Sequence, residues 1–179
     1  MNAAVNAAAR ITFESVTTPA QIQAVADLAA PIWREQFTPI IGSAQVAYML
    51  QAWQSPSAIA QQMQEGAHYF LTRLPEAYIG YFSWTPDTAT SGKISKFYLL
   101  HTYHGKGYAQ AMMQFLEKEA IQKHISILWL RVNRHNHKAI RFYHKSGFHI
   151  VRDIYEEIAP GYHLDDHVME KCLQLGAEA

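Results

Sequence analysis

One stretch constrains this chain more than any other. A strand-like run over residues 93–100 leads into the turn His104-Gly105-Lys106-Gly107. Apolar residues then follow at Ala109, Met112, Met113, Leu116 and Ala120. That spacing fits a 3.6-residue period, so the segment reads as a helix with one face packed on a sheet. A strongly apolar run over 125–132 reads as the next strand. A strand, a glycine turn and an amphipathic helix bring free backbone N–H groups and the positive end of a helix dipole together, which suits an anion. Gly105 and Gly107 let the backbone approach a ligand closely, although ordinary tight turns use the same residues. Neither Gly-x-x-x-x-Gly-Lys-Ser/Thr nor Gly-x-Gly-x-x-Gly occurs in the chain, which lowers the nucleoside triphosphate and NAD readings.

The surrounding sequence alternates helical and extended patterns, with no internal repeat and no low-complexity linker. Residues 11–16 alternate like a strand, and Thr18-Pro19 opens a helical stretch that Pro31 is expected to disturb. Residues 43–53 and 57–65 read as helices, the second with a serine cap and a stop at Gly66. Runs at 69–73 and 78–84, joined by a short Pro-containing turn, form an expected antiparallel hairpin. A short helix through Ala139, Ile140 and Tyr143 should end near Gly147, and 148–154 and 167–173 complete the strands.

With 179 residues, 49% of them hydrophobic, the chain can bury one substantial core, and a single domain over 1–179 with frayed residues 1–9 is expected. Fifteen Lys+Arg against fifteen Asp+Glu gives no overall charge with which to attract nucleic acid or an acidic membrane surface. The single cysteine, Cys172, excludes an intramolecular disulfide framework and fits a reducing, cytoplasmic setting. The alanine-rich start does not read as a secretory signal, and no apolar stretch approaches the roughly 20 residues needed to cross a bilayer.

Two blocks carry a family resemblance. Lys96-Phe97-Tyr98-Leu99-Leu100-His101-Thr102-Tyr103-His104-Gly105-Lys106-Gly107-Tyr108-Ala109 resembles the strand, phosphate loop and helix start of the GNAT N-acetyltransferase superfamily. The usual loop is Arg/Gln-x-x-Gly-x-Gly/Ala; Gly107 and Ala109 match it, while His104 stands where arginine or glutamine is normal. Leu128-Trp129-Leu130-Arg131-Val132-Asn133, followed by Asn136 through Phe148, resembles the later GNAT strand and its Asn-x-x-Ala-Ile-x-x-Tyr-x-x-x-Gly-Phe segment.

The resemblance implies an α/β (α+β) fold, a mixed and mostly antiparallel sheet with a splayed strand pair flanked by helices. It implies acetyl-CoA as cosubstrate and direct acetyl transfer to a primary amine. Phe97, Tyr98 and Leu99 would offer backbone contacts to the pantetheine arm, and a backbone N–H near Leu99 would meet the carbonyl oxygen. His104, Gly105, Lys106, Gly107, Tyr108, Ala109 and Gln110 would surround the pyrophosphate. Asn136 would contact the cofactor, and Tyr143 would protonate the departing thiolate. Read without the family, Asn136 is a helix cap and Tyr143 an amphipathic core residue seven positions on.

The family's strand glutamate aligns with Ser95, so the base is left among Asp165, Asp166, Glu35 and a water chain. His135-x-His137 and His163-x-x-x-His167 lack a His-Glu-x-x-His motif or a cysteine cluster, so no metal is expected. Lys138, Arg141, Lys145 and Arg152 read equally as 3′-phosphate contacts or as a solvated basic face. Residues 161–171 look similar to the last loop and strand of bacterial polyamine acetyltransferase-like members. Asp165, Asp166, Glu156 and Glu157 could attract a small cationic amine. Peptide N-termini, amino acids and a noncatalytic acyl-CoA-binding regulatory role are the alternatives, and the resemblance is compatible with a homodimer.

Overall fold

The computed structural model describes residues 11–174, so the expectation for residues 1–9 falls outside it. The elements run β1 (Thr12–Ser15), α1 (Pro19–Ile41), α2 (Ser43–Trp53), α3 (Pro56–Gln64), β2 (His68–Leu74), β3 (Ala77–Pro86) and β4 (Ser91–Leu99). A 3₁₀ turn (His101–Tyr103), α4 (Tyr108–Gln122), β5 (Ile127–Asn133), α5 (His137–Lys145), β6 (His149–Ala159) and β7 (Tyr162–Cys172) follow. The seven strands lie in the order β1-β2-β3-β4-β5-β7-β6. β1–β2, β2–β3, β5–β7 and β6–β7 pair antiparallel, whereas β4–β5 is parallel. This is the mixed sheet expected from the resemblance. A parallel register joins Ser91↔Ile127 to Ile94↔Leu130, and β5 pairs with β7 from Ile127↔Cys172 to Asn133↔Asp166.

The chain divides into two compact units. One takes the chain up to Trp84 together with Lys96–Phe115, and the other takes Thr85–Ser95 together with the chain from Leu116 onward. In the first, Thr18 caps α1 through a capping box: its Oγ1 accepts the Gln21 N–H at 3.3 Å while Gln21 Oε1 accepts the Thr18 N–H at 3.1 Å. Contrary to expectation, α1 runs on through Pro31 and Pro39 for 23 residues. Pro31 is exposed, so the carbonyl that loses its helical donor meets water instead of an apolar interior. The cap of α3 is Ser55, not Ser57; its Oγ accepts the Ala58 N–H, and Pro56 occupies the first turn, where a missing N–H does no harm.

β3 is buried almost throughout, which explains its nearly continuous apolar run and marks it as an interior strand. Phe13, Phe70, Phe82 and Phe115 form an aromatic cluster, with centroids 4.7 Å apart for Phe13–Phe115 and 5.2 Å for Phe70–Phe82. Gly80 is required by closeness: a Cβ there would sit 2.5 Å from the Tyr98 carbonyl oxygen.

In the second unit β5 alternates half-buried and buried residues, with Leu128, Leu130 and Val132 turned into the core. β6 and β7 each extend well beyond the expected strands, and their hairpin turns at Pro160-Gly161. Lys171 Nζ reaches Glu117 Oε1 on α4 at 2.5 Å.

Candidate functional site

The end of β4 is anchored when the Leu100 N–H donates to the Ile79 carbonyl at 2.9 Å. Tyr98 is half-buried, its ring 5.6 Å from Trp33, 6.1 Å from Phe37 and 5.4 Å from Tyr81. Phe97 lies 6.2 Å from Phe82, and Leu99 is buried. These contacts pack the strand up to the point where the loop leaves it.

In that loop His104 Nε2 lies 2.8 Å from the Leu99 carbonyl oxygen. A carbonyl only accepts, so this nitrogen carries the proton. The residue at the family's arginine or glutamine position is therefore tied back to the strand it follows. Gly105 (φ 74°) and Gly107 (φ 84°) both adopt the left-handed conformation, and a Cβ built on either would meet nothing within 4 Å. The backbone itself therefore borders open space.

The Ala111 N–H is the first to find a helical carbonyl here, that of Gly107 at 3.1 Å. The N–H groups of Tyr108, Ala109 and Gln110 precede it and have no acceptor within their own helix. Tyr108 is buried and fixes the helix start, its ring 6.2 Å from Tyr103. Lys106 Nζ lies 5.2 Å over the Tyr103 ring and adds a cation to the loop. Open backbone, three helix-start donors and a local cation match the needs of a pyrophosphate.

Around α5 the arrangement depends on side chains. Asn136 is its N-cap; Oδ1 accepts the Ala139 N–H at 3.3 Å, and the residue is 8% exposed. The capping role is thus present. Tyr143 is likewise 8% exposed, with Phe142 at 5.5 Å and Phe148 at 5.8 Å, and burial pushes its phenol well above the ordinary range. Gly147 (φ 92°) follows the Ser146 cap, as the sequence led us to expect.

The carboxylates considered as bases are all engaged. Glu35 Oε1 is 3.7 Å from His101, both of them exposed. Asp165 forms a 2.6 Å ion pair with Arg134 Nε, too poorly aligned to count as a hydrogen bond, and Asp166 accepts from Arg131 Nε at 3.1 Å. Burial raises the Asp166 carboxyl although Arg131 pulls it down. Arg131 also meets Glu156 at 2.9 Å, and Asp153 joins Arg134 at 3.4 Å and His167 at 2.6 Å.

Lys93 stands 5.1 Å over the Trp129 ring; burial and then Arg131 lower its pKa. This ladder of charges was not apparent in the sequence, and only the facing of β5, β7 and β6 would have signalled it. Ser95 is half-buried, while Arg141, Lys145 and Arg152 are exposed. Among the described residues, no group of three or more His, Cys, Asp or Glu is placed to hold a metal ion, and no helix is long and apolar enough to cross a membrane.

Known proteins resemble this chain in both sequence and fold. An uncharacterised N-acetyltransferase of Mycobacterium tuberculosis is 32% identical over 113 residues, covering 63% of this chain and 72% of that protein. The structure of PaiA N-acetyltransferase from Thermoplasma acidophilum, in complex with coenzyme A, superposes with a TM-score of 0.75 at 18% identity, over 90% of this chain and 98% of that one. Spermidine N-acetyltransferase from Vibrio cholerae, in complex with CoA and spermine, gives a TM-score of 0.68 at 14% identity, over 92% of this chain and 96% of that one. The sequence pattern of the Acetyltransferase (GNAT) family matches residues 25–148, more than half of the chain. The protein is therefore a member of the Acetyltransferase (GNAT) family and an acyltransferase.

Proposed function

We propose that the protein transfers an acetyl group from acetyl-CoA to a primary amine by direct attack, with a small cationic amine or polyamine as acceptor. The observation that carries the reading is the left-handed Gly105 and Gly107 turn opening onto the start of α4. Gly105 to Gln110 hold the pyrophosphate by backbone N–H groups, with Lys106 adding charge. Phe97, Tyr98 and Leu99 offer the strand edge to the pantetheine arm, and the Leu99 region supplies an N–H to the developing oxyanion. His104 orders the loop through Leu99. The bound cosubstrate supplies an activated thioester, so no covalent enzyme intermediate is needed.

Asn136 caps α5 and also contacts the cofactor in this reading. Tyr143 supplies the proton donor. Its buried phenol stays neutral at physiological pH, but an ordinary thiol titrates near about 8.5, so complete transfer from a phenol raised above its usual value runs uphill. Hydrogen-bond donation to the leaving thiolate is the larger share of its help. The amine's proton leaves through water, with Asp165 and Asp166 held in arginine ion pairs and Glu35 exposed beside His101 at 3.7 Å.

Support for a polyamine comes from the similarity of residues 161–171 to polyamine acetyltransferase-like members and from the spermine in the Vibrio structure. Arg131 and Arg134 neutralise much of the acidity that the sequence offered as an attractant. A panel of spermidine, amino acids, peptide N-termini and aminoglycosides, read by CoA thiol release, tests the proposal. Spermidine or another small cationic amine should give the highest kcat/KM. Productive turnover confined to neutral peptide N-termini would overturn the polyamine assignment, and acetyl-CoA binding with no amine-dependent thiol release would overturn the transfer reaction.

A further inference from the structure

β6 closes one end of the sheet, paired with β7 on one side and with no strand on the other among the described residues. It is eleven residues long and exposed along most of its length, with Ile150 at 40%, Val151 at 41% and Tyr155 at 69%. A long open edge of this kind presents unpaired backbone donors and acceptors to any strand that fits. Register shifts between Ile150 and Arg152 and between Glu157 and Ala159 bound a regular stretch, Arg-Asp-Ile-Tyr-Glu-Glu, over residues 152–157. The charges in that stretch decide which strand it can accept.

We propose that β6 is a homodimer interface, in which two copies of this chain pair their edge strands antiparallel about a twofold axis at Ile154. Outward-facing backbone groups alternate along a strand, so facing residues must share parity and the axis must pass through a residue. Six centres are available in the regular stretch. Centring on Arg152 sets arginine against arginine, and centring on Asp153, Glu156 or Glu157 sets a carboxylate against its own copy. Centring on Tyr155 opposes Asp153 to Glu157 of the second copy. Only Ile154 avoids like charges: Arg152 then faces Glu156 of the second copy, twice by symmetry, and Ile154 faces its own copy.

Arg152 is exposed and makes no ion pair among the described residues, and Glu156 Oε2 is engaged by Arg131 on the same side of the strand. The same charges that repel strands of other pattern, and every other self-register, therefore select this one. Tyr155, stacked on His163 with centroids 5.1 Å apart, stands over the junction on the opposite face and would meet Asp153 of the second copy.

Sedimentation equilibrium of the full chain over a concentration series tests the interface. The wild type should be a concentration-dependent dimer. Arg152→Glu and Glu156→Arg should each weaken dimerisation at least about tenfold, since each places like charges opposite one another at two positions. An equimolar mixture of the two variants should dimerise again, because every facing pair is then of opposite charge. Glu156→Arg also removes one of the two carboxylate partners of Arg131, so a second readout avoids dependence on its folding. In a Cys172→Ser background, Ile154→Cys should form an intermolecular disulfide on mild oxidation, and Tyr155→Cys should not. A wild type that stays monomeric to its solubility limit, single variants that dimerise as wild type does, or stronger cross-linking through Tyr155→Cys would each overturn the proposal.

Discussion

The glycine turn before α4, which departs from the family pattern at His104, and the segment from Asn136 to Tyr143, which follows it throughout, are built in opposite ways. The turn is open and made of backbone, and nothing lies within 4 Å of the positions where Gly105 or Gly107 would carry a Cβ. The α5 segment is buried and made of side chains: Asn136 closes a helix end and Tyr143 packs between Phe142 and Phe148. A ligand site of the first kind carries little of the fold, so function and stability can be separated there by substitution. The second kind is part of the packed fold, so any role proposed there for Asn136 or Tyr143 has to be separated from the structural one each already has.

The largest effect should come from the turn. Gly107→Glu puts a carboxylate where the pyrophosphate is proposed to sit, and calorimetry should show acetyl-CoA affinity falling at least about a hundredfold, given the charge-assisted contacts opposed. The left-handed φ of 84° adds a stability loss of about 1–2 kcal/mol for any side chain. Gly107→Ala carries the same strain without the charge and should retain most of the affinity. Equal binding by wild type and a folded Gly107→Glu would remove the loop from the site and collapse the comparison.

Tyr143→Phe tests the buried side. Stopped-flow acetyl transfer at saturating substrates should slow by about a hundredfold, the lower end of general-acid help, with acetyl-CoA affinity nearly unchanged. An unchanged chemical rate would leave Tyr143 as a packing residue. The same variant has a pH signature. Because burial raises the folded-state phenol above its ordinary value of 10.0, the unfolded chain loses this proton first, so the stabilising contribution is complete below pH 10.0 and is lost as pH rises further. Thermal unfolding above pH 10.0 should therefore fall less steeply in Tyr143→Phe than in wild type.

The smallest expected change is Asn136→Ala. Loss of the cap should lower stability by about 1 kcal/mol, and any added loss of acetyl-CoA affinity measures the second role proposed for Asn136. Asn136→Ser keeps a capping oxygen and should restore stability. If it restores affinity fully as well, the cofactor contact is refuted and only the cap remains.

Most of what the sequence revealed concerns places where a side chain acts on its own backbone. The helix start at Thr18-Pro19, Asn136 three residues before Ala139, and the glycines at 66, 105, 107 and 147 could be located because each effect spans only a few residues. The two family blocks were legible for the same reason: a phosphate loop and its helix form one local unit. Exposure decided the outcome at Pro31, whose lost hydrogen bond is tolerated on a solvent-facing side of α1. At β6, charges and apolar residues mix on both faces of an edge and so hide the usual alternation.

By itself, then, the sequence determined the order of the elements, the Asn136 cap, the glycine turn and the family. Tertiary structure decided the strand order, the parallel pairing of β4 with β5, and the ion pairs joining Arg131 to Asp166 and Glu156 and Arg134 to Asp165 and Asp153. Those partners lie far apart along the chain and meet only because β5, β7 and β6 adopt one register. A shift of one residue would turn each side chain to the opposite face, and that register is set by burial of Leu128, Leu130, Val132 and Met169 together, a collective choice that no local segment encodes.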